Sequence, residues 1–366
     1  DVAPSRGLGD VYKRQVMNKQ TLSYDEETRG KTVINHMGGV FLYNRPEQIL
    51  EQYELEVKSI SRGRDSYQCD TEQGPKILRE YRGSKERAGF LADMLDHLSG
   101  QGRTVETVMR TKEGEPFSVN EEETKYILYQ AFPGAECDTK NRADMLSAVR
   151  ELALLHQSAQ NYEGSVPEFL KSGQNNLLLL YEKRNRELNK VRNYIRAKKK
   201  KNDFEMMFSV WYPEYVKKAQ ETTDILKDLG IQEQLIGFCH GDYNQHNVIF
   251  SREGIAVVHF ENFLYQESVG DLANFIRKMM EKNNWNAGLG MDLIRGYDRV
   301  RKLSPEELKY LYVYLAYPEK FWKIANRYYN SHKAWLSGRN IEKLEKVVAQ
   351  EDAREQFLQM LFHFTV

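Results

Sequence analysis

The sequence predicts an α+β protein of two lobes, a small antiparallel β lobe followed by a larger and mostly helical lobe. Short segments in which apolar and polar residues alternate dominate residues 49–131, and long segments with helical periodicity fill residues 132–366. The chain has 366 residues, of which 40% are hydrophobic and 29% are charged. It is therefore long enough to bury a core without disulfides or a structural metal.

The strands of the first lobe are predicted from alternation and from turn residues. The first strand alternates Tyr53, Leu55 and Val57 with charged residues, residues 72–74 form a turn, and a later strand contains Ile77 and Leu78. Ser84 is a favourable N-cap for a helix whose apolar residues form one stripe: Phe90, Leu91, Met94, Leu95 and Leu98. The lobe therefore reads as a small sheet with one helix.

The second lobe is predicted from three long helical patterns, at residues 144–156, 177–199 and 204–229. Ser304, followed by a proline and then by Glu307, predicts the start of a further helix. A compact strand-loop-strand segment at residues 240–260 interrupts the helices. This interruption is where we expect the chemistry.

The charge balance, the cysteines and the longest apolar stretches limit the partners and the environment of the chain. The chain carries 53 basic and 53 acidic residues, which argues against nucleic acid or a charged membrane surface held by bulk electrostatics. Its cysteines, Cys69, Cys137 and Cys239, show no C-x-x-C pair, which favours a reducing compartment over a disulfide framework. No stretch approaches the roughly 20 apolar residues of a membrane span.

The first fifteen residues need separate treatment. Residues 7–15, Gly-Leu-Gly-Asp-Val-Tyr-Lys-Arg-Gln, match the translation of a transposase sequencing adapter. We therefore predict that residues 1–15 are adapter sequence and exclude them from the fold. Residues 16–48 then form an N-terminal extension, and the native start is either Met17 or upstream of residue 16.

The strongest chemical signal is His240-Gly241-Asp242, with Asn247 five residues after the aspartate. Phosphoryl transfer needs an oxygen acceptor near the attacking hydroxyl and oxygen ligands for magnesium. The segment resembles the catalytic loop of aminoglycoside phosphotransferases and choline kinases, a branch of the protein-kinase-like fold. The resemblance implies that Asp242 is the catalytic base, that Asn247 binds magnesium and nucleotide, and that His240 supports the loop.

The next segment departs from that pattern. Active relatives have an aspartate there as the main magnesium ligand, but this sequence has His259. Magnesium prefers oxygen ligands in octahedral geometry, so an imidazole is a poor replacement. Glu261 reaches the metal only if the loop shifts. The resemblance thus implies ATP and magnesium as cofactors and Asn247, His259 and Glu261 as the metal set, and it predicts that this set serves magnesium poorly.

The resemblance also implies phosphate contacts in the first lobe. Arg79 stands where relatives have the strand lysine that holds the phosphates, and an arginine still binds phosphate. Its usual glutamate partner falls near Leu91, which leaves Asp93 as a displaced candidate.

Two further residues of the first lobe are candidates for nucleotide contacts. Lys76 is either an alternative phosphate ligand or a solvent-facing strand residue. Gly63 lies in a candidate phosphate-covering loop at residues 61–66, whose arginines either contact phosphates or are solvated.

The C-terminal third narrows the resemblance. Residues 271–285 and 317–324 resemble the CotS family of spore coat proteins, as do residues 77–84 and 134–138. Members of that family carry a kinase-like fold and are associated with the spore coat. The resemblance therefore implies other spore coat proteins as partners, synthesis in the mother-cell cytoplasm and a final location in the coat.

Three functions stay open at this point. The preferred hypothesis is a coat component with impaired or absent magnesium-dependent phosphotransfer, a pseudokinase. The alternative is an active ATP-dependent phosphotransferase of small molecules with Asp242 as its base. The third is a module that binds a nucleotide without transferring phosphate.

Overall fold

The computed structural model of the chain describes residues 21–23, 46–63, 66–172, 176–230, 232–330 and 337–365. The predicted adapter at residues 1–15 lies outside this part, as does most of the predicted extension at 16–48. The chain divides into two compact units. Of the described residues, those up to Gly134 and those of Ser251–Ala256 form the N-terminal unit, and those of Ala135–Phe250 and from Val257 onward form the C-terminal unit.

An antiparallel sheet forms the N-terminal unit, as the alternation predicts. The strand predicted from Tyr53, Leu55 and Val57 is wrong before Val57, because the Tyr53 N–H donates to the carbonyl of Leu50 in a turn and the strand begins only at Val57. Its strands are β1 (Thr21–Ser23), β2 (Val57–Arg62), β3 (Ser66–Thr71), β4 (Lys76–Tyr81), β5 (Val108–Met109), β6 (Ser118–Val119) and β7 (Lys125–Gln130). They follow the order β1-β2-β3-β4-β7-β5, and β6 also pairs with β7. The predicted turn at residues 72–74 joins β3 to β4, where Gly74 has a φ of 85° and donates its N–H to the carbonyl of Thr71.

Two helices accompany this sheet, α1 (Pro46–Leu50) and α2 (Lys85–Gly100). The Ser84 side chain accepts a hydrogen bond from the Arg87 N–H at 3.1 Å, so the predicted N-cap of α2 is confirmed. The predicted apolar stripe of α2, Phe90, Leu91, Met94, Leu95 and Leu98, is buried throughout.

Helices dominate the C-terminal unit. They are α3 (Arg142–Gln160), α4 (Glu168–Ser172), α5 (Leu177–Ala197), α6 (Asp203–Leu229), α7 (Val269–Lys282), α8 (Ala287–Asp298), α9 (Pro305–Ala316), α10 (Glu319–Asn330), α11 (Ser337–Ala349) and α12 (Glu351–Thr365). Ser304 and Glu307 form the predicted capping box at the start of α9. Across the described ranges, no helix combines the length and the hydropathy that a membrane span requires.

Aromatic side chains hold these helices together. Tyr215 of α6 stacks on Phe321 of α10 with ring centroids 4.2 Å apart, and Tyr181 of α5 stacks on Tyr317 with centroids 3.9 Å apart. All four rings are buried. Stacked aromatic pairs add to the free energy gained by burial, so these contacts fix α6 against α10 and α5 against the C-terminal end of α9.

Short strands frame the candidate loop. They are β8 (Gly134–Glu136), β9 (Ile236–Cys239), β10 (Val248–Ser251), β11 (Gly254–Val257) and β12 (Leu264–Glu267). The residues of β9 pair antiparallel with those of β12, with Cys239 opposite Leu264. A 3₁₀ turn, Phe260–Asn262, precedes β12. The loop at 240–247 therefore starts at the end of one paired strand and returns directly into β10.

All three cysteines are buried and carry free thiols. Burial raises the pKa of the Cys69 and Cys137 thiols to about 12. Burial also raises the pKa of the Cys239 thiol well above its ordinary value. These groups therefore stay protonated and unreactive in the folded chain.

Candidate active site

His240 is fully buried at the start of the candidate loop. Its Nε2 lies 2.9 Å from the carbonyl oxygen of Val258, and its Nδ1 lies 3.2 Å from the backbone N–H of Asp242. A carbonyl can only accept and an N–H can only donate, so the ring is neutral with its proton on Nε2. Burial lowers the pKa of His240, which agrees with that neutral form.

Asp271, at the start of α7, anchors the backbone of the loop. Its two carboxylate oxygens accept the N–H groups of His240 at 2.6 Å and of Gly241 at 2.9 Å. The imidazole Nε2 of His156 lies 3.4 Å from the same carboxylate. Because Asp271 is buried, these contacts replace the water that its charge would otherwise need.

Gly241 is required by the path of the backbone. It has a φ of 81°, and a Cβ added there would lie 1.9 Å from the carbonyl oxygen of Asn262 in the 3₁₀ turn. No side chain fits at that distance, so only glycine lets the loop pack against the turn.

Asn247 fastens the far end of the loop to the aspartate. Its Nδ2 donates to the backbone carbonyl of Asp242 at 2.9 Å, and Asn244 donates to the same oxygen at 2.8 Å. The backbone carbonyl of Asn247 accepts the N–H of Val258 at 3.0 Å. Because its amide nitrogen is the donor, the side-chain oxygen of Asn247 is the atom that can bind a metal.

The carboxylate of Asp242 has a cationic neighbour. Its Oδ1 lies 3.0 Å from Nζ of Lys278 on α7. The side chains are 43% and 28% exposed, so the pair contributes at most about 1 kcal/mol to stability. The ammonium nevertheless places a fixed positive charge beside the predicted base.

His259 and Glu261 lie in the turn that follows. His259 has a left-handed backbone, with φ 69° and ψ 54°, and its side chain is 47% exposed. Its Nδ1 lies 3.7 Å from Oε2 of Glu261. The structure therefore brings the two predicted metal ligands of this turn within ion-pair distance of each other.

In the N-terminal unit, Arg79 is buried and its guanidinium forms an ion pair with Glu106. It also lies over the ring of Tyr129, 4.1 Å from the centroid. The predicted displaced partner, Asp93, is more than half exposed and pairs instead with Arg110 at 2.7 Å. The structure thus gives Arg79 a carboxylate partner that follows α2 in sequence rather than one within it.

Lys76 is 5% exposed, so the reading of this residue as a solvent-facing strand lysine is wrong. Its Nζ donates to the carbonyl of Gln73 at 2.9 Å and to the side chain of Gln130 at 2.5 Å. Burial lowers the pKa of Lys76. A buried lysine with neutral acceptors remains a candidate anion ligand.

Gly63 closes the hairpin between β2 and β3. Its N–H donates to the carbonyl of Ser66 at 2.8 Å, and an added Cβ would lie 2.9 Å from the hydroxyl of that serine. Residues 64 and 65 of the predicted phosphate-covering loop lie outside the described part of the chain.

Comparison with known proteins identifies the family. A family model described as "Spore coat putative kinase YutH" matches residues 46–361. The chain belongs to this family. Spore coat protein S of Bacillus subtilis (strain 168) is 23% identical to the YutH-family chain over 327 residues, which are 86% of this chain and 93% of that protein. The predicted resemblance to spore coat proteins is thereby confirmed.

Solved structures confirm the predicted fold. An aminoglycoside phosphotransferase from Alicyclobacillus acidocaldarius superposes with a TM-score of 0.77 at 17% identity, covering 93% of this chain and 98% of that one. An amicoumacin kinase solved with AMP-PNP and Ca²⁺ superposes with a TM-score of 0.58 at 14% identity, covering 85% and 92%. The YutH-family chain therefore has the predicted two-lobed α+β kinase-like fold.

The donor atoms near the loop do not match the set that magnesium prefers. Asn247 offers one neutral oxygen, His259 offers an imidazole nitrogen, and Glu261 offers a carboxylate that faces the imidazole. Magnesium binds oxygen in strict octahedral geometry through carboxylates, waters and phosphates, whereas imidazole suits transition metals.

Three residues that position this chemistry carry no local sequence signal. Asp271 contacts the loop across 31 residues of sequence, Lys278 contacts Asp242 across 36, and Glu106 contacts Arg79 across 27. Asp271 lies three residues after Ser268, in the first turn of an amphipathic helix, where an acidic residue is common without any functional role. Only the fold brings these charges to their partners.

Proposed function

We propose that this YutH-family chain is a spore coat component whose kinase-like fold has impaired magnesium-dependent phosphotransfer. The observation that carries the proposal is His259, an exposed imidazole where active relatives have a metal-binding aspartate. The chain is made in the mother-cell cytoplasm and joins the coat through other coat proteins. Its similarity to spore coat protein S supports this location.

Electrostatics supports the impairment. Transfer of a terminal phosphoryl group requires cations that bridge the phosphates and neutralise the charge that develops on them. An aspartate supplies a full negative charge to hold such a metal, whereas a neutral imidazole supplies none. The ammonium of Lys278 beside Asp242 is a protein cation of fixed position, but it already neutralises the predicted base.

The test is to restore the missing ligand. In His259→Asp, an aspartate is compatible with the left-handed backbone, since Asp is among the residues enriched there. We expect magnesium to change the Kd of the wild-type chain for ATP by less than about threefold. In His259→Asp, magnesium should lower that Kd by about tenfold or more, which corresponds to about 1.4 kcal/mol of binding free energy. Isothermal titration calorimetry with and without magnesium measures both values.

His363→Asp is the matched control, because it makes the same exchange at an exposed position of α12. Its response to magnesium should equal that of wild type. Tight, magnesium-dependent ATP binding with turnover by the wild-type chain would contradict the proposal.

An active phosphotransferase is the second candidate, and the intact loop favours it. The neutral His240, the Asp271 anchor and the Asn247 bond to Asp242 are all in place. A cavity of about 190 Å³ in the same unit is lined in part by Gly241, Tyr181 and Arg184 and offers space for a small acceptor.

In this candidate the hydroxyl oxygen of the acceptor molecule bonds to the terminal phosphorus of ATP, and the bond from that phosphorus to the leaving ADP oxygen breaks. Asp242 accepts the proton that the hydroxyl loses. Asp242→Asn should then abolish product formation, and unchanged phosphotransfer in that variant rejects the candidate. A rise in melting temperature with ATP but no phosphorylated product would instead support a module that only binds nucleotide.

A further inference from the structure

A second cavity of the C-terminal unit, of about 300 Å³, lies among α7, α10, α11 and α12. Its volume is at the lower end of the range for small-molecule sites. Its apolar lining includes the buried side chains of Trp285, Tyr317, Pro318 and Phe321. These groups make a floor on which a flat apolar body can rest.

Cations outnumber anions around this cavity. The basic lining residues are Arg277, Lys282, Lys320, Lys343, Lys346 and Arg354, and the acidic ones are Glu281, Glu319 and Glu351. The surplus is therefore three positive charges. The chain as a whole has no net charge, so this local excess of positive charge marks the cavity as a site that attracts anions.

The carboxylates of the cavity are already satisfied by other cations. Glu281 accepts from Arg277 at 2.7 Å and from Lys320 at 2.8 Å. Glu351 accepts from Lys218 and from Arg354, each at 2.8 Å.

Glu319, the third carboxylate, pairs with Lys323 and lies 3.6 Å from Nε of Arg277. Among the residues that the structure describes, Lys282, Lys343 and Lys346 have no carboxylate within ion-pair distance. These three ammonium groups are the charges available to a ligand.

The surroundings of two of these lysines oppose their charge. Partial burial lowers the pKa of Lys343, and the nearby cations Arg327, Lys320 and Arg339 lower it further. Partial burial and the neighbouring Lys278 likewise lower the pKa of Lys282. For Lys343 the charged groups that shift the pKa are all cations, so a bound anion would relieve this repulsion.

We propose that this cavity binds a small aromatic dianion, with its charged groups on Lys282, Lys343 and Lys346 and its ring on the floor beside Trp285 and Phe321. Two negative charges leave the site near neutrality, and one ring matches the cavity volume. The proposal concerns a surface other than the catalytic loop and does not depend on whether phosphotransfer occurs.

Phenyl phosphate is the probe, and isothermal titration calorimetry on the full chain measures its affinity. Inorganic phosphate tests the negative charge without a ring, and benzyl alcohol tests the ring without a charge. Benzene-1,3-dicarboxylate tests whether an aromatic dianion whose charges are carboxylates binds as well as one whose charge is a phosphate. We expect phenyl phosphate to bind with a Kd below about 1 mM, at least about fivefold more tightly than inorganic phosphate, and more weakly as salt is added.

The decisive variant is Lys343→Glu with Lys346→Glu, which reverses two charges on exposed positions of α11. It should weaken binding of phenyl phosphate at least about tenfold. The matched control is Lys199→Glu with Lys200→Glu, which reverses two exposed lysines that do not line the cavity. Its affinity should stay within about twofold of wild type. Melting temperatures confirm that both variants fold.

Three results would overturn the proposal. One is no binding of either aromatic dianion at millimolar concentration. Another is equal affinity for benzyl alcohol and phenyl phosphate, which would remove the role of charge. The third is an affinity for phenyl phosphate that the α11 double variant leaves unchanged, which would place the bound ligand elsewhere.

Discussion

The loop at residues 240–247 and the turn at 258–261 are joined by hydrogen bonds, yet they are built in opposite ways. The loop is held in shape by buried groups with defined partners, His240 and Asn247 within it and Asp271 of α7 beside it. The turn exposes nearly half of the His259 side chain on a left-handed backbone. The comparison teaches that the loop's shape depends on buried hydrogen bonds and not on the residue that would hold a metal.

Gly241→Ala should have the largest effect, because it attacks the loop's backbone directly. A φ of 81° is costly for alanine, and the added Cβ would collide with the carbonyl of Asn262. We expect the free energy of unfolding to fall by about 3 kcal/mol. Urea denaturation followed by circular dichroism measures it.

Gly237→Ala is the matched control in β9. An added Cβ at Gly237 meets nothing within 4 Å, so we expect a change of about 0.5 kcal/mol or less. Equal losses in the two variants would show that the close approach of loop and turn is not what constrains residue 241.

The buried imidazole of His240 should give the next largest effect, and it depends on pH. Burial lowers the folded-state pKa below the ordinary 6.5. Below pH 6.5 the imidazole therefore binds a proton in the unfolded chain but not in the folded one. The contribution of His240 to the free energy of unfolding is complete above pH 6.5, and it decreases as the pH falls, by up to about 1.4 kcal/mol per pH unit.

His240→Gln should lose this contribution, and its unfolding free energy should depend less on pH between 6.5 and 5 than that of wild type. The assay is denaturant unfolding at several pH values. A His240→Gln slope identical to wild type would mean that His240 titrates normally in the folded chain.

His259→Asn should have the smallest effect. Asparagine tolerates a left-handed backbone, and the side chain it replaces is half exposed, so we expect stability within about 0.5 kcal/mol of wild type. His259→Val, a β-branched residue at the same φ, should cost about 1–2 kcal/mol. Thermal and urea unfolding of the pair measures the difference. A larger loss in the asparagine variant would give the imidazole a structural role.

Periodicity was sufficient to predict the long helices, whereas the strand predicted from Tyr53 and Leu55 begins only at Val57. The pattern at residues 204–229 matches α6 (Asp203–Leu229), and the cap at Ser304 marks the start of α9, because helical spacing and capping are local properties of the sequence. The hairpin turn at Gly74 is equally local.

The site was predictable only in part. The loop from His240 to Asn247 is a compact motif, so its residues could be named from their resemblance to the catalytic loop of known phosphotransferases. The partners Asp271, Lys278 and Glu106 could not, since each reaches its contact only after tertiary packing. For the same reason Lys76 read as ambiguous: one strand does not reveal which face the neighbouring strands and helix cover.

The three buried thiols give this chain its own reporters of local opening. Cys69 lies in the N-terminal unit, whereas Cys137 and Cys239 lie in the C-terminal unit, and Cys239 directly precedes His240. A thiol-specific reagent can modify each one only after its surroundings separate and the thiolate forms. The modification rate of Cys69 would therefore measure how often the sheet opens, that of Cys137 the region after β8, and that of Cys239 the start of the loop. None of these measurements needs an engineered label.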